Sequence, residues 1–296
     1  MDEAVGSLIT GSTRVAAVIG SPVHHSLSPT ILNAAFAAAD ADWVYVAFEV
    51  ADGQAAEAVA AMRTLGLGGL SVTMPHKAAV HDAVDDRTEV AAALGAVNCV
   101  FWQDDRLVGD NTDGAGFVDA LRVDGGMEVA GRRCVVVGAG GAGRAIVRAL
   151  GDGGAVDVAV VNRTPDAAVR AAHLAGPVGR VGSMADVDAA DLVVNATSLG
   201  MGSTGAATGE PAPLPVHPER LRPGHVVVDL IYHPIETPLL AAARQRGAVA
   251  VNGVGMLVHQ AAHAFRRWTG ETPPVDAMVA AARRELADRA LADGSL

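Results

Sequence analysis

The chain has 296 residues, half of them hydrophobic, which is enough for two domains of ordinary size with packed cores. Its formal net charge of -11 argues against a nucleic-acid partner, because proteins that bind phosphate backbones need clustered Lys and Arg. The apolar runs are shorter than the roughly 18 residues of a membrane span, and the acidic start MDEAVGSLIT lacks the basic flank of a signal peptide, so we expect a cytoplasmic protein without a membrane partner.

Residues 1–110 alternate short apolar runs with helical patterns. RVAAVIG, WVYVAFEV and GGLSVTMP predict strands, and SPTILNAAFAAA and GQAAEAVAAMRTL predict helices between them. This alternation is typical of β-α-β units with a largely parallel sheet. AVNCVFW and RLVGDNT flank the turn residues Asp104-Asp105 and predict a hairpin, so we expect this first sheet to be mixed.

The stretch HHSLSPTILNAAF predicts how the first helix begins. Ser28 is a good N-cap, and Pro29 suits the first turn, where its missing N–H costs nothing. Ser26 lies two residues earlier and is not needed for capping in this interpretation. We therefore expect Ser26 to be dispensable for the helix.

A second alternating block starts near residue 132. Its near-continuous apolar runs are typical of parallel strands covered on both faces: RCVVVG, VDVAVVN, ADLVVNAT, HVVVDLI and AVAVNG, with a weaker strand near residues 177–181. The Gly/Pro-rich stretch from Leu199 to Pro218 is long for a loop in a compact domain, which is typical of functional or mobile segments. From Met256 onward the pattern is helical, and TGETPP breaks it into two helices.

CVVVGAGGAGRA is the strongest local motif. Gly138, Gly140 and Gly143 form G-x-G-x-x-G between an apolar strand and a helical run. The first glycine permits a tight turn, the second lets the backbone approach a pyrophosphate, and the third allows close helix–strand packing. The helix N-terminus adds free N–H groups for phosphates. In this context the motif predicts dinucleotide binding, and a purely structural turn is the alternative.

The end of the next strand indicates which dinucleotide is bound. An NAD site usually places Asp or Glu there for the ribose 2′-hydroxyl, but this strand ends in VVNRT. Asn162, Arg163 and Thr164 suit a 2′-phosphate better, because a guanidinium pairs well with phosphate. We therefore predict NADP, against the alternative that Arg163 is only a solvent-exposed residue at a helix start.

Hydride transfer needs a group that moves a proton on or off the substrate oxygen. SVTMPHK places Lys77 just past a strand end, and GDNTDGAGF places Asp113 just before a helix. Lys77 can donate a proton to a ketone, while Asp113 either orients the substrate hydroxyl or shares the proton; the sequence does not divide these roles. By spacing alone, a surface lysine and a helix-capping aspartate are the alternative.

No metal site is expected. His259 and His263 have the i, i+4 spacing of half a zinc motif, but no carboxylate stands in the H-E-x-x-H position. Cys99 and Cys134 lie far apart, in apolar runs. They are predicted to be buried free thiols, which fits a reducing compartment.

Taken together, these segments resemble the shikimate dehydrogenase family over nearly the whole chain. VIGSPVHHSLSP is similar to its N-terminal substrate motif, SVTMPHK to its lysine loop, and GAVN and GDNTDGAGF to its asparagine and aspartate motifs; GAGGAGRA, NRT, NATSLGM, DLIYHPIETPLL and NGVGMLVHQAAHAF follow in the family's order. Single pieces are generic, whereas the ordered set is specific. The resemblance implies NADP-dependent reduction of 3-dehydroshikimate to shikimate, in the pathway to aromatic amino acids.

The resemblance also implies site residues. The catalytic pair would be Lys77 and Asp113, and the substrate carboxylate would be bound by two hydroxyls at a helix start, those of Ser26 and Ser28. Other substrate contacts would come from Thr73, Asn98, Tyr232 and Gln260. NADP would be bound by Gly138, Ala139, Gly140, Gly141, Ala142, Gly143, Asn162, Arg163, Thr164, Thr197, Leu230, Gly253 and Met256. Separately, the length and glycine content of the loop from Leu199 to Pro218 suggest that it closes over NADP.

The implied fold is α/β with two domains. An N-terminal α/β substrate domain with a mainly parallel mixed sheet would comprise residues 1–112 plus 254–296, and a Rossmann-type doubly wound NADP-binding domain would comprise residues 113–253, with a cleft between them. The expected assembly is a monomer or a homodimer.

One departure from the family pattern concerns substrate choice. The family often has Asn where this chain has Ser71, which is shorter and has fewer hydrogen-bonding groups. This bears on affinity and on discrimination between shikimate and quinate. Two alternatives stay open: a quinate/shikimate dehydrogenase of broader range, and a non-catalytic NADP-binding regulatory protein.

Overall fold

The structure, a computed structural model, describes residues 9–201 and 214–292. The chain forms two compact units. The first unit takes in the described residues of Met1–Thr112 and Gln260–Leu296, and the second unit takes in those of Asp113–His259. Each unit is built on a six-stranded sheet with helices, so the predicted α/β class is confirmed. Most of the predicted loop from Leu199 to Pro218 lies outside the described residues.

The sheet of the first unit is mixed, as predicted, with the strand order β2-β1-β3-β5-β6-β4. Its strands are β1 (Arg14–Gly20), β2 (Trp43–Glu49), β3 (Gly69–Val72), β4 (Asp86–Arg87), β5 (Cys99–Gln103) and β6 (Arg106–Asp110). β1 pairs in parallel with β2 and β3, whereas β5 pairs antiparallel with β3 and β6. Asp104 and Asp105, with φ of 48° and 62°, form the left-handed two-residue turn that joins the predicted hairpin.

Five helices lie within the first unit: α1 (Ser28–Ala38), α2 (Ala55–Leu65), α3 (Lys77–Ala83), α4 (Glu89–Leu94) and α10 (Val275–Ala292). Helix α9 (Val254–Thr269) begins in the second unit and ends in the first. The predicted break between the last two helices is confirmed. α3 and α4 were not predicted because they have only seven and six residues, too few to show a helical period.

The second unit has an all-parallel sheet of order β12-β11-β10-β7-β8-β9. Its strands are β7 (Arg133–Val137), β8 (Asp157–Val161), β9 (Gly179–Val181), β10 (Leu192–Asn195), β11 (Val226–Asp229) and β12 (Val249–Val251), and its helices are α5 (Asp113–Gly125), α6 (Gly141–Asp152), α7 (Pro165–Ala172) and α8 (Pro238–Gln245). Two runs of strands diverge from a central pair, β7 and β10. This is the doubly wound order of a Rossmann fold, so the predicted fold of the unit and its weak strand near residue 179 are confirmed.

Both faces of this second sheet are buried. Along β7, Cys134 and Val136 pack on one face and Val135 and Val137 pack on the other, as the two-residue period of a strand requires. α5 and α6 supply the first layer with side chains such as Phe117 and Ile146, and α8 covers the other face. Because neither face meets water, the strands read as continuous valine runs.

Two cysteines and a histidine are among the buried side chains. Cys99 and Cys134 are free thiols, as predicted, and burial raises the pKa of Cys134 to about 12. Burial also raises the pKa of Cys99, so both stay protonated and unreactive. His225, at the start of β11, is fully buried, and its two ring nitrogens have no hydrogen-bond partner among the described residues.

Neither a metal-binding cluster nor a helix suited to cross a membrane occurs among the described residues. No group of three or more His, Cys, Asp or Glu side chains in that part of the chain is placed to hold a metal ion. In the same residues, none of the helices combines the length and hydropathy that a membrane crossing requires.

Candidate active site

The candidate polar residues of the first unit lie at one edge of its sheet, here named the polar edge. β1 and β3 are parallel and both end there, while β5 starts and β6 ends there, because Ser71 pairs with Cys99 and Cys99 pairs with Asp110 across antiparallel ladders. The segments that leave or enter this edge carry the predicted substrate and lysine residues: Ser26, Ser28, Thr73, Lys77 and Asn98. The topology therefore brings together motifs that are far apart in the sequence.

The start of α1 differs from the prediction. Leu27 is the N-cap, Ser28 is the first helical residue, and the Ser28 N–H donates to Ser26 Oγ at 3.2 Å. The Ser26 oxygen thus accepts from an N–H that a helix start otherwise leaves unsatisfied, while the N-cap itself makes no side-chain hydrogen bond. That Ser26 is dispensable for the helix stays a prediction. A hydroxyl accepts and donates at the same time, so the Ser26 O–H remains able to bind a ligand.

The segment 73–77 is held tightly against the end of β1. The Thr73 N–H donates to Ile19 O at 2.9 Å. A Cβ on Gly20 would lie 2.4 Å from Thr73 Cγ2, so only glycine at position 20 permits this approach. His76 is buried, and its Nε2 lies 2.8 Å from Val50 O at the end of β2. These contacts fix the loop from which Lys77 emerges.

Lys77 opens α3 and is half-buried. It is the only lysine among the 22 Lys and Arg residues of the chain, all the others being arginine. An arginine side chain stays protonated in proteins, whereas a lysine ammonium can give up its proton and take it back. The polar edge therefore holds the one strongly basic side chain of the chain that is suited to proton transfer.

Asn98 and Thr112 join the start of β5 to the end of β6. The Thr112 N–H donates to Asn98 Oδ1 at 2.8 Å, and Asn98 Nδ2 donates to Thr112 Oγ1 at 3.1 Å. The Thr112 hydroxyl then donates to Gln260 O at 3.1 Å. This chain of bonds places two predicted residues, Asn98 and Gln260, at the polar edge. Thr112 itself was missed, although it stands inside the quoted motif GDNTDGAGF.

Asp110 forms a second group of hydrogen bonds at the end of β6, which the sequence did not predict. Its carboxylate accepts from Thr88 Oγ1 at 2.7 Å, from the Asn111 N–H at 2.8 Å, and from Arg267 Nε and Nη2 at 3.0 and 2.8 Å. Asp110 is buried and Arg267 lies on α9, so a charge-assisted pair ties that helix to the end of β6. A separation of 157 residues left no local signal for this pair.

The other predicted residues belong to the second unit. Asp113 is buried and is the first residue of α5, whereas the sequence predicted that it lies just before the helix. Tyr232 follows β11 and is half-buried, and Met256 is buried in α9. The remaining predicted cofactor residues lie at the carboxyl ends of the parallel strands, here named the glycine-loop edge.

The glycine loop fits a dinucleotide diphosphate. Gly138 has φ of 109°, which L side chains rarely adopt, and a Cβ on Gly143 would lie 2.2 Å from Gly138 O. These two glycines let the loop fold tightly against α6. A Cβ on Gly140 or Gly141 would meet no atom within 4 Å, so their backbones face open space at the N-terminus of α6. Exposed backbone N–H groups at a helix start are the usual diphosphate ligands.

Asn162 and Arg163 have different local roles. Asn162 Oδ1 accepts from the Ala139 N–H at 3.1 Å, and Asn162 Nδ2 donates to Thr164 O at 3.1 Å, so this side chain ties the glycine loop to the end of β8. Arg163 and Thr164 are exposed beside it. The Arg163 guanidinium is therefore an exposed cationic group next to the glycine loop.

A buried polar network shapes the other strand ends of the glycine-loop edge. Asn195 Nδ2 and Thr237 Oγ1 donate to Asp229 at 2.9 and 2.7 Å, and Asn195 Oδ1 accepts from the Thr197 hydroxyl at 2.7 Å. Burial raises the pKa of Asp229, while these donors oppose the rise. The network holds Thr197 close to the end of β10. Asn195 and Asp229 were not predicted, although both stand in the quoted segments NATSLGM and DLIYHPIETPLL.

Leu230 and Gly253 meet through their backbones at the ends of β11 and β12. A Cβ on Gly253 would lie 2.0 Å from Leu230 O. The Gly253 N–H donates to Ile231 O at 3.1 Å. Only glycine allows this approach, which brings the start of α9 to the same edge as the glycine loop.

Comparison with known proteins identifies the family. Family models match residues 18–100 (shikimate dehydrogenase substrate binding domain), 122–207 (shikimate / quinate 5-dehydrogenase) and 253–283 (shikimate 5'-dehydrogenase C-terminal domain). A relative from Moorella thermoacetica, shikimate dehydrogenase (NADP(+)), is 45% identical over 280 residues, which cover 91% of this chain and 92% of the relative.

Solved structures agree with this assignment. A crystal structure of a shikimate dehydrogenase in complex with NADP+ has a TM-score of 0.86 at 35% identity, covering 95% of this chain and 99% of that chain. Shikimate 5-dehydrogenase from Thermus thermophilus, in complex with NADP(H) and shikimate, has a TM-score of 0.83 at 35% identity, covering 92% and 99%. The chain therefore belongs to the shikimate dehydrogenase family, and the resemblance found in the sequence is confirmed.

Replacing Gly143 with alanine tests the packing of the glycine loop. We expect Gly143→Ala to lower stability by about 1–3 kcal/mol, because the new methyl group would collide with Gly138 O. Gly141→Ala is the matched control on the same helix, where the methyl group meets open space and alanine favours the helix. Thermal unfolding of the three proteins measures the difference; a wild-type melting temperature for Gly143→Ala would contradict the close approach.

Proposed function

We propose that the protein catalyses the reversible NADPH-dependent reduction of 3-dehydroshikimate to shikimate, in the biosynthesis of aromatic amino acids. The observation that carries the proposal is the polar edge, where serine and threonine hydroxyls, an asparagine amide and the only lysine of the chain come together. Such a set suits a small polyhydroxylated acid. The relatives named shikimate dehydrogenase (NADP(+)) support the same reaction.

The substrate is bound at the polar edge in this proposal. Ser26 and Ser28 hold its carboxylate at the start of α1, where the helix offers partial positive charge. Hydroxyl and carboxylate oxygens of the substrate are bound by Thr73, Asn98, Tyr232 and Gln260. We assign substrate binding to a domain of residues 1–112 plus 254–296, and NADP binding to a domain of residues 113–253.

Lys77 handles the proton. Reduction of a ketone leaves an alkoxide oxygen that needs a proton, and the Lys77 ammonium donates it; in the reverse direction the neutral amine accepts it. Asp113 orients the substrate hydroxyl or shares the proton. NADPH, when bound, supplies the hydride.

NADP binding is assigned to the glycine-loop edge, which is composed of Gly138, Ala139, Gly140, Gly141, Ala142, Gly143, Asn162, Arg163, Thr164, Thr197, Leu230, Gly253 and Met256. The exposed Arg163 guanidinium binds the 2′-phosphate, and the free backbone at Gly140 and Gly141 binds the diphosphate. No acidic side chain follows β8 at the position that would select a bare ribose hydroxyl.

We further propose a cytoplasmic enzyme that acts as a monomer or a homodimer without a nucleic-acid partner. The net charge of -11 supports the last point, because it repels a phosphate backbone.

Initial rates with shikimate and quinate, each with NADP+ and NAD+, test the proposed function. We expect a large preference for the pair of shikimate and NADP+. Arg163→Ala should raise the KM for NADP+ by about tenfold or more while changing the rate with NAD+ little, because only NADP+ carries the 2′-phosphate. Equal rates with NAD+ would contradict the cofactor assignment. Equal turnover of quinate would favour the broader dehydrogenase, and no turnover of either acid would favour a regulatory protein.

Lys77→Arg tests the proton transfer more sharply than removal of the charge. We expect kcat to fall by about 10²-fold or more, since arginine keeps the positive charge but does not release a proton at neutral pH. The KM for NADP+ should stay near the wild-type value, because NADP is assigned to the other edge. Steady-state kinetics of wild type, Lys77→Arg and Lys77→Met check this; near-normal turnover by the arginine variant would remove Lys77 from proton transfer.

A further inference from the structure

The hydroxyl of Tyr45 is buried without a hydrogen bond. Tyr45 lies in β2 with a side chain that is 1% exposed, and its Oη has no partner among the described residues. Among the described residues, the two ring nitrogens of His225 are the other buried side-chain atoms without a hydrogen-bond partner. Buried tyrosines usually find a partner for the O–H, because an unpaired polar group in a core is destabilising. The phenol therefore needs an explanation that the packing of its ring does not provide.

Tyr45 is held in place through both its backbone and its ring. Asn33 of α1 pairs with both backbone groups of Tyr45: its Nδ2 donates to Tyr45 O at 2.9 Å, and its Oδ1 accepts from the Tyr45 N–H at 2.8 Å. The ring stacks on Trp268 with centroids 5.8 Å apart. α1 is the helix that begins at Ser28, so the same helix fixes Tyr45 and carries a proposed ligand of the substrate carboxylate.

Strand register places Tyr45 and Ser71 on the same face of the first sheet. On parallel strands, Ala16 pairs with Tyr45 and Val18 pairs with Ser71. Ala16 and Val18 are two residues apart on β1, so Tyr45 and Ser71 share one face of the sheet, with Ser71 nearer the strand ends.

Two serine hydroxyls border the phenol. Burial raises the pKa of Tyr45, the buried Cys99 thiol adds to the rise, and the nearby side chains of Ser71 and Ser28 oppose it. Neither serine hydroxyl is hydrogen-bonded to the phenol oxygen. The phenol thus lies behind two hydroxyls at the site proposed for the substrate, with its own proton uncommitted.

We propose that Tyr45 is a positioning residue for the substrate and acts through Ser71. When the substrate is bound, the Tyr45 O–H donates to Ser71 Oγ, which turns the single Ser71 proton toward the carboxylate end of the substrate beside Ser28. This inference rests on the proposed function.

The variant Tyr45→Phe separates this role from a structural one. It keeps the ring and its stacking on Trp268 and removes only the hydroxyl, which is unpaired without substrate. We expect the KM for shikimate to rise about fivefold or more, with kcat within twofold and the KM for NADP+ unchanged. The melting temperature of the free protein should equal or exceed that of wild type, because loss of an unpaired buried hydroxyl removes a cost.

Two further comparisons complete the experiment. In a Ser71→Ala background, Tyr45→Phe should add less than twofold to the KM, because the hydroxyl acts through Ser71. His225→Leu, which removes the other unpaired buried group, should leave the KM for shikimate unchanged.

Four results would overturn the inference. They are an unchanged KM for shikimate in Tyr45→Phe, a rise accompanied by a lower melting temperature, full additivity with Ser71→Ala, and an equal rise in His225→Leu. A wild-type protein that does not oxidise shikimate would overturn the proposed function and this inference together, whereas normal wild-type turnover with an unaffected Tyr45→Phe would overturn the inference alone.

Discussion

The polar edge of the first unit depends on the reciprocal hydrogen bonds between Asn98 and Thr112. They connect the first residues of β5 to the residues that follow β6, and the Thr112 hydroxyl extends the connection to Gln260 on α9. Both side chains are buried, so an unmade bond would leave polar groups without water and cost about 1–3 kcal/mol. Breaking the network is therefore costly. It holds the Asn98 amide and Gln260 at the edge where Lys77 and the serines lie.

The proposed carboxylate site at the polar edge uses no charged side chain. A carboxylic acid substrate is often held by arginine, yet the proposed carboxylate site consists of hydroxyls at the start of a helix. The nearby Arg267 is already paired with Asp110, which keeps it for structure. The one lysine of the chain stands where proton transfer is proposed, and the exposed Arg163 of the second unit stands where a phosphate is proposed. Lysine thus stands where a proton is transferred and arginine where a phosphate is bound, and neither side chain would serve equally well in the other place.

The sequence predicted what local patterns encode. Valine runs located the parallel strands, Asp104-Asp105 located the hairpin, and the glycine spacing located the turn at Gly138. What it missed depends on distant contacts or on single atoms. The Asp110–Arg267 pair joins residues far apart in the chain, and the use of Ser26 Oγ by the helix follows from a boundary one residue away from the predicted one. The run WVYVAFEV predicts a strand that contains Tyr45, but periodicity does not report whether a hydroxyl is paired.

The most direct test of this account is the KM for shikimate of Thr112→Val and Thr112→Ser at saturating NADP+. Valine has the shape of threonine but neither accepts from Asn98 nor donates to Gln260, whereas serine keeps the hydroxyl. We expect the KM to rise about tenfold or more in the valine variant and to stay within about threefold in the serine variant, since two buried bonds are lost in the first and none in the second. A valine variant with the wild-type KM would contradict the claim that this network builds the substrate site.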